Sequence, residues 1–204
     1  MVNISKDSNT EQRILEAARK VFIQKGMAGA RMQDIADEAG INKAMLHYYF
    51  RTKDKLFEMI FREAMAGFIP WANKIFDSDL PLFQKIESFT SEYIELLIKN
   101  PYIPLFVLNE VNRQPEIFIK KMWNGKHPTP GKLLQQIEAA TREGKIRPVH
   151  PQQLVINMIS MCIFPFVGRP MIQLVMKLSD NQFRQLMEQR KKEIATFIIH
   201  SIRK

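Results

Sequence analysis

Four side chains between positions 43 and 48 carry the chemistry with the clearest target. On a helix that opens at Asn42, Lys43, Ala44, His47 and Tyr48 fall on one arc, and Asn42, Met45, Leu46 and Tyr49 fall on the other. A lysine ammonium donates to guanine O6 and N7, and an alanine methyl meets the thymine methyl. Imidazole and phenol groups reach base edges or phosphates. A helix of two turns that buries one side and shows these groups on the other is more than a stability element. The alternative is a solvated helix face for Lys43, His47 and Tyr48, and for Asn42 a helix cap, which ranks ahead of base contact.

The elements around this stretch are those that would hold it against a duplex. Met32, Ile35, Ala36 and Ala39 repeat at helical spacing just before Gly40, so two short helices meet at that glycine. The pair matches a helix-turn-helix, whose second helix enters the major groove. Upstream, Ile14, Leu15, Ala18, Val21 and Phe22 form an apolar stripe that closes at Gly26, with N-cap candidates at Ser8 to Thr10. A first helix of about four turns therefore roofs the two short ones. The second helix has no Ser or Thr cap, since Ala30 and Arg31 stand in that place.

After Phe50, Thr52 caps a longer helix through Leu56, Phe57, Ile60, Phe61 and Ala64, and Pro70 is expected to end or kink it. The domain boundary falls between Phe50 and Lys53, dividing the chain into 1–52 and 53–204. No Gly/Ser-rich or Pro-rich spacer lies there, so the two parts should move as coupled bodies. Phe83, Ile86, Phe89, Tyr93, Ile94 and Leu97 mark a helix stopped at Asn100-Pro101. Shorter segments follow over 105–112 and 115–123, then a loop over 124–131 and a helix over 133–143 closed by Gly144. Residues 152–164 are apolar nearly all round, the pattern of a helix buried on several sides. Gly168-Arg169-Pro170 breaks it, and Ser179 or Asp180 caps a last long helix. The fold class is all-α.

Composition agrees without deciding the matter. The 204 residues are 46% hydrophobic with only 8 glycines, which excludes general disorder and disfavours an all-β fold. The net charge of +9 favours a polyanionic partner, but residues 1–60 hold ten basic against eight acidic side chains. Basicity is thus weak support beside the motif. Cys162 is the single cysteine and sits in an apolar segment, as a buried inert thiol does; it fits a reducing compartment. The polar N-terminus lacks a secretory signal, and the longest apolar run falls short of a membrane span. A cytoplasmic protein with no membrane partner is expected.

The N-terminal stretch resembles the TetR family of bacterial transcriptional regulators. The likeness rests on Ile14-Leu15-Glu16-Ala17-Ala18, Phe22, Gly26, Asp34-Ile35-Ala36, Ala39-Gly40-Ile41, 46–50, Lys53, Leu56 and Phe57. It covers roughly residues 8–60. It implies an N-terminal helix-turn-helix domain and a larger helical domain that dimerises and binds an effector. By position, Gln33, Lys43, Ala44, His47 and Tyr48 match places that face DNA, Lys53 a lysine that meets phosphate, and Tyr49 a residue beside it. His47 stands where the family commonly has Tyr, and Arg31 where it commonly has Ser or Thr; Arg31 supplies an extra candidate phosphate contact. The expected partners are a double-stranded DNA operator, a small-molecule effector and a second copy of the chain. Repression is the family default, and no cofactor or metal is implied.

For the homodimer, 152–164 and 181–202 are the candidate segments, through Leu154, Met158, Met161, Ile194, Phe197 and Ile198; the alternative for each is the chain's own core. In the family the last two long helices pair with their symmetry mates. For the effector, Phe68, Trp71, Phe76, Phe89, Tyr93, Phe106, Trp123 and Phe164 are candidates to line an apolar pocket. Asn109, Glu110 and Asn112 are its candidate polar contacts. Aromatics at helical spacing are more often core. An apolar or amphipathic ligand is expected, with Glu110 favouring a cation if it is buried unpaired. Competing functions are an enzyme and a basic helical adaptor for protein or membrane. His47, His127, His150 and His200 show no metal-ligand spacing, and no nucleophile or phosphate-loop motif appears.

Overall fold

A computed structural model describes residues 4–113, 115–116, 120 and 129–204. Helices α1 (Ile4–Gly29), α2 (Met32–Ala39) and α3 (Lys43–Tyr49) come first. α1 begins upstream of the caps expected at 8–10, which lie inside it. Its stripe is buried as the spacing predicts, with Ile14, Leu15, Ala18, Val21 and Phe22 all inside. Gly26, at φ 65° and ψ 172°, turns the chain aside near the end of α1, in a conformation closed to other residues.

α4 (Lys53–Asp77) continues through Pro70, so the helix does not end at that proline. One hydrogen bond to Ala66 is lost there. The burial of Ile69, Ala72 and Phe76 around it holds the helix together. α5 (Leu82–Lys99) and α6 (Ile103–Arg113) follow, then α7 (Gly131–Arg142), α8 (Pro151–Val167), α9 (Arg169–Met176) and α10 (Asp180–Ile202). The break expected at Gly168 occurs: α8 stops at Val167, and Arg169 and Pro170 open a new helix bent 69° from it, where a proline's missing N–H costs nothing. The segment expected over 115–123 lies mostly outside the described residues, as does the loop at 124–128. Among the described residues there is no strand, only a bridge between Ile146 and Arg203.

Two buried clusters organise the packing. The first joins α1, α2, α3 and the first half of α4 to Tyr102, Ile103 and Phe106 at the α5–α6 corner. Phe22 meets Phe57 at 5.3 Å between ring centroids, and Phe57 meets Phe106 at 3.9 Å. The second gathers Ala72 and Phe76 of α4 with α5, α7, α8 and α10. α4 thus belongs to both, and packing does not divide at the domain boundary expected near residue 52. α10 lies along α5, and Lys191 pairs across that seam with Glu95, which also takes Lys99 at 2.8 Å. The Lys191 hydrogen bond, joined by that from Lys99, pulls the Glu95 carboxyl down to about 2. At the carboxyl end of α4, the buried Lys85 Nζ donates to Phe76 O at 2.8 Å and Lys132 Nζ to Asp77 O at 2.6 Å, satisfying carbonyls the helix leaves open. No single described helix is long and apolar enough to cross a membrane.

Candidate nucleic-acid interface

α3 has seven residues, too short to persist alone, so its position is set by its attachments. Leu46 is fully buried and Phe50 nearly so, and these pin one side to the first cluster. At the amino end, Asn42 Oδ1 accepts from Met45 N at 2.7 Å, the capping use of that side chain. The turn before it closes on Gly40 (φ 63°, ψ 38°), whose N–H reaches Asp37 O at 3.1 Å while Ile41 N reaches Ala36 O at 3.0 Å. From α1, Arg13 Nη2 donates to Ala39 O at 2.7 Å, tying the turn to the roof helix.

The free side of α3 carries Lys43, Ala44, His47 and Tyr48, all exposed, with Tyr48 at 82%. Met45, expected on the packing arc, is exposed as well (44%), because only Leu46 and the half-buried Tyr49 fit against the neighbouring helices. Tyr49 stands edge-on to Tyr48, at 5.4 Å. His47 Nδ1 lies 3.2 Å from Arg51 O, so a proton on Nδ1 donates to that carbonyl and Nε2 stays free for a partner.

The flanking candidates are placed around this face with partners of their own. Gln33 is exposed and its Nε2 donates to Asp37 Oδ1 at 2.7 Å, which orients its amide. Arg31, also exposed, caps α2 through its backbone: its N–H donates to Asp34 Oδ2 at 3.0 Å. Lys25 pairs with the same carboxylate at 2.9 Å, and its hydrogen bond, with that from Arg31, lowers the Asp34 carboxyl from its ordinary range. Lys53 Nζ donates to Met27 O at 2.6 Å and Ala30 O at 3.0 Å, clamping α4 to the α1–α2 connector and leaving one ammonium proton over.

These parts together define a helix-turn-helix protein of the DNA-binding class, its second helix hung from a shared core with a polar face outward. Residues 14–60 match the bacterial regulatory proteins of the tetR family. That match spans the helix-turn-helix and the first turns of α4, and the curated proteins the chain resembles are helix-turn-helix transcriptional regulators. It is 37% identical over 67 residues to the transcriptional repressor NicS of Pseudomonas putida, a match spanning 33% of this chain and 32% of NicS. With the transcriptional regulator RutR of Escherichia coli the identity is 24% over 148 residues, 72% of this chain and 69% of RutR. The fold is shared with the TetR-family regulator PfmR of Thermus thermophilus, at TM-score 0.63 and 20% identity, covering 90% of this chain and 97% of PfmR.

The second half redistributes the expected effector and dimer residues. A cavity of about 170 Å³ lies between α4, α5, α6 and α8. Phe68, Phe76, Phe89 and Tyr93 line it, together with Met65, Ile103 and Ile159, which composition alone did not single out. Trp71 stacks on Phe68 at 5.8 Å but faces an outer groove with Gly67 and Glu92. Phe106 is sealed in the first cluster against Phe57, and Asn109 and Asn112 point to solvent. Phe164 is 56% exposed on the outside of α8. Trp123 and the Glu110 side chain lie outside the described residues. Leu154, Met158, Ile194 and Ile198 are buried inside the chain, so the interface expected of them is corrected: they build the monomer's own second core. Met161 is half-buried, its carbonyl accepting from Arg190 at 3.0 Å. Phe197 is 61% exposed. Phe197 was a pairing candidate and stays outward, but sequence periodicity missed Ile156 on α8 and Leu186 on α10 as outward apolar positions and put Phe164 in the pocket rather than on the outside of α8. Their helical spacing, eight residues from Ile156 to Phe164 and eleven from Leu186 to Phe197, was the available signal. Among the described residues, no group of three or more His, Cys, Asp or Glu comes together to hold a metal ion.

Proposed function

We propose that the chain is a homodimeric repressor that holds a palindromic operator through α3 of each subunit and releases it when a small apolar or amphipathic molecule binds. The observation that carries the DNA half is the contrast across α3: Leu46 at 0% exposure behind, and Lys43, Ala44, His47 and Tyr48 open in front. Lys43 and Gln33 supply donors for guanine and adenine edges, and Ala44 a methyl for thymine. Arg31, Tyr48, Tyr49 and the remaining Lys53 proton serve phosphates, and His47 a base or phosphate through Nε2. Asn42 acts first as the cap. Residues 1–52 form the reading unit and 53–204 the sensing and pairing unit. The outward Ile156, Phe164, Leu186 and Phe197 make the pairing face, since two copies of α3 must stand about one helical turn, or a multiple, apart.

The release half is supported by where the cavity sits. Phe61, Met65 and Ile69 on its wall belong to the cluster that holds α3, while Ala72, Phe76, Phe89 and Val155 belong to the other. A molecule in that cavity bears on the seam between the two cores. It shifts the dimer between operator-matched and mismatched spacings by its difference in affinity for them. The test is protection of the gene's own upstream DNA by the purified protein, followed by binding to the protected palindrome and to random duplex over a salt series. Preference for the palindrome, with affinity falling steeply in log[salt], is expected. Equal binding to both duplexes refutes the reading and favours a basic adaptor.

A further inference from the structure

The wall of the cavity between α4, α5, α6 and α8 is apolar with one exception. Among the described lining residues, Tyr93 alone has a polar side chain. Its ring is fixed by aromatic neighbours, stacked on Phe68 at 5.0 Å and 23° and set against Phe89 at 5.4 Å. Its hydroxyl makes no hydrogen bond with any described residue. Burial raises its ionisation well above the ordinary tyrosine range, so it remains a neutral O–H that both donates and accepts. A fixed hydroxyl with no hydrogen-bond partner among the described residues, on the wall of an apolar cavity, is the kind of polar point that orients a ligand.

The wall also limits charge and size. No described lining residue is Lys, Arg, His, Asp or Glu. The nearby Arg190 spends its Nε and Nη2 on Met161 O, at 3.2 and 3.0 Å. Cys162 is fully buried, and its thiol is pushed up to about 12 by burial, so it is no anion. A charged ligand group entering here loses its water and gains no counterion from any described wall residue. A space of about 170 Å³ is close to the ~150 Å³ apolar cavity that accepts benzene in an engineered protein.

We infer that the ligand this cavity takes is a small uncharged aromatic molecule, about one ring in size, with a single hydrogen-bonding oxygen that pairs with the Tyr93 hydroxyl. This rests on the effector reading above and narrows it: no described wall residue pairs with a carboxylate or an amine cation. Three probes of matched shape test it by calorimetry on the full-length protein: acetophenone, α-methylstyrene, in which a CH₂ replaces the carbonyl oxygen, and benzoate at pH 8. Acetophenone should bind about tenfold more tightly than α-methylstyrene, and benzoate should not bind at millimolar concentration. Tyr93→Phe should bring acetophenone to the level of α-methylstyrene and leave the latter unchanged. Benzoate binding, equal affinities in the wild-type protein, no binding by any probe, or a preference that survives Tyr93→Phe overturns the inference. Should the variant fold poorly, the Tyr93 ring resonances of the wild-type protein decide, moving on addition of acetophenone but not to the same place with α-methylstyrene. Matching shifts from both probes overturn it. Probe binding with the Tyr93 signature but no change in operator affinity leaves this inference standing and refutes the effector reading instead.

Discussion

Replacing Asn42 by alanine and by serine separates two uses of one side chain. Its Oδ1 accepts from Met45 N at 2.7 Å, satisfying a donor that the start of α3 otherwise leaves open. Loss of such a cap costs about 1 kcal/mol, and serine, which caps as well as asparagine, costs close to none. α3 is seven residues long and held mainly by Leu46, so the cost should fall on α3 itself rather than spread through the fold. In the proposed dimer an operator engages two copies, so Asn42→Ala can weaken it by up to about 2 kcal/mol, roughly thirtyfold. Urea unfolding gives the stability term, and titration of the protected operator against random duplex gives the binding term. Asn42→Ser should match the wild type in both. A serine variant that keeps full stability but loses tenfold or more at the operator alone refutes the capping account and makes Asn42 a base reader.

Lys53→Ala removes the donor from Met27 O and Ala30 O and should destabilise the chain by about 1–2 kcal/mol. If its spare proton meets a phosphate, the slope of log K against log[salt] drops by about 0.9 per subunit; an unchanged slope leaves Lys53 as a clamp only. Glu95→Gln tests the α5–α10 seam. The carboxyl is held at about 2 against an ordinary 4.5, so its contribution is complete above pH 4.5 and drains away as pH falls toward 2. With Glu95 still 32% exposed, about 1 kcal/mol is expected at neutral pH after screening, and the variant's stability should fall less steeply between pH 4.5 and 2. Equal acid limbs in the two proteins count against the seam. Phe197→Asp, at an outward position, should shift the dimer to monomer in sedimentation without unfolding it, whereas Ile198→Ala, at 2% exposure, should cost about 2–5 kcal/mol of stability.

Local chemistry was legible in the chain and distant packing was not. Asn42, Thr52 and Ser179 cap the helices that follow them, because a cap is settled within three residues. The α1 stripe was equally plain, since every member faces one core. Met45 misled because a helical arc says which side is shared, not how deep each position sinks. Pro70 misled because tertiary burial on both sides outweighed one missing hydrogen bond. The aromatic residues could not be sorted from spacing: Phe106 and Phe89 look alike along the chain, yet one seals a core and the other borders a void. Leu154 and Ile194 read as surplus apolar surface only while α5, which covers them, was out of view.

Pro70 inside α4 has a mechanical meaning. From Lys53 to Pro70 the helix is an arm of about 25 Å at 1.5 Å per residue, and the proline is its weakest joint. Flexing by about 5° at that joint swings the far end by roughly 2 Å, and in the proposed dimer two opposed arms double the change in reach. Against a groove repeat of about 34 Å, that is enough to spoil simultaneous seating on two half-sites while leaving each reading head intact.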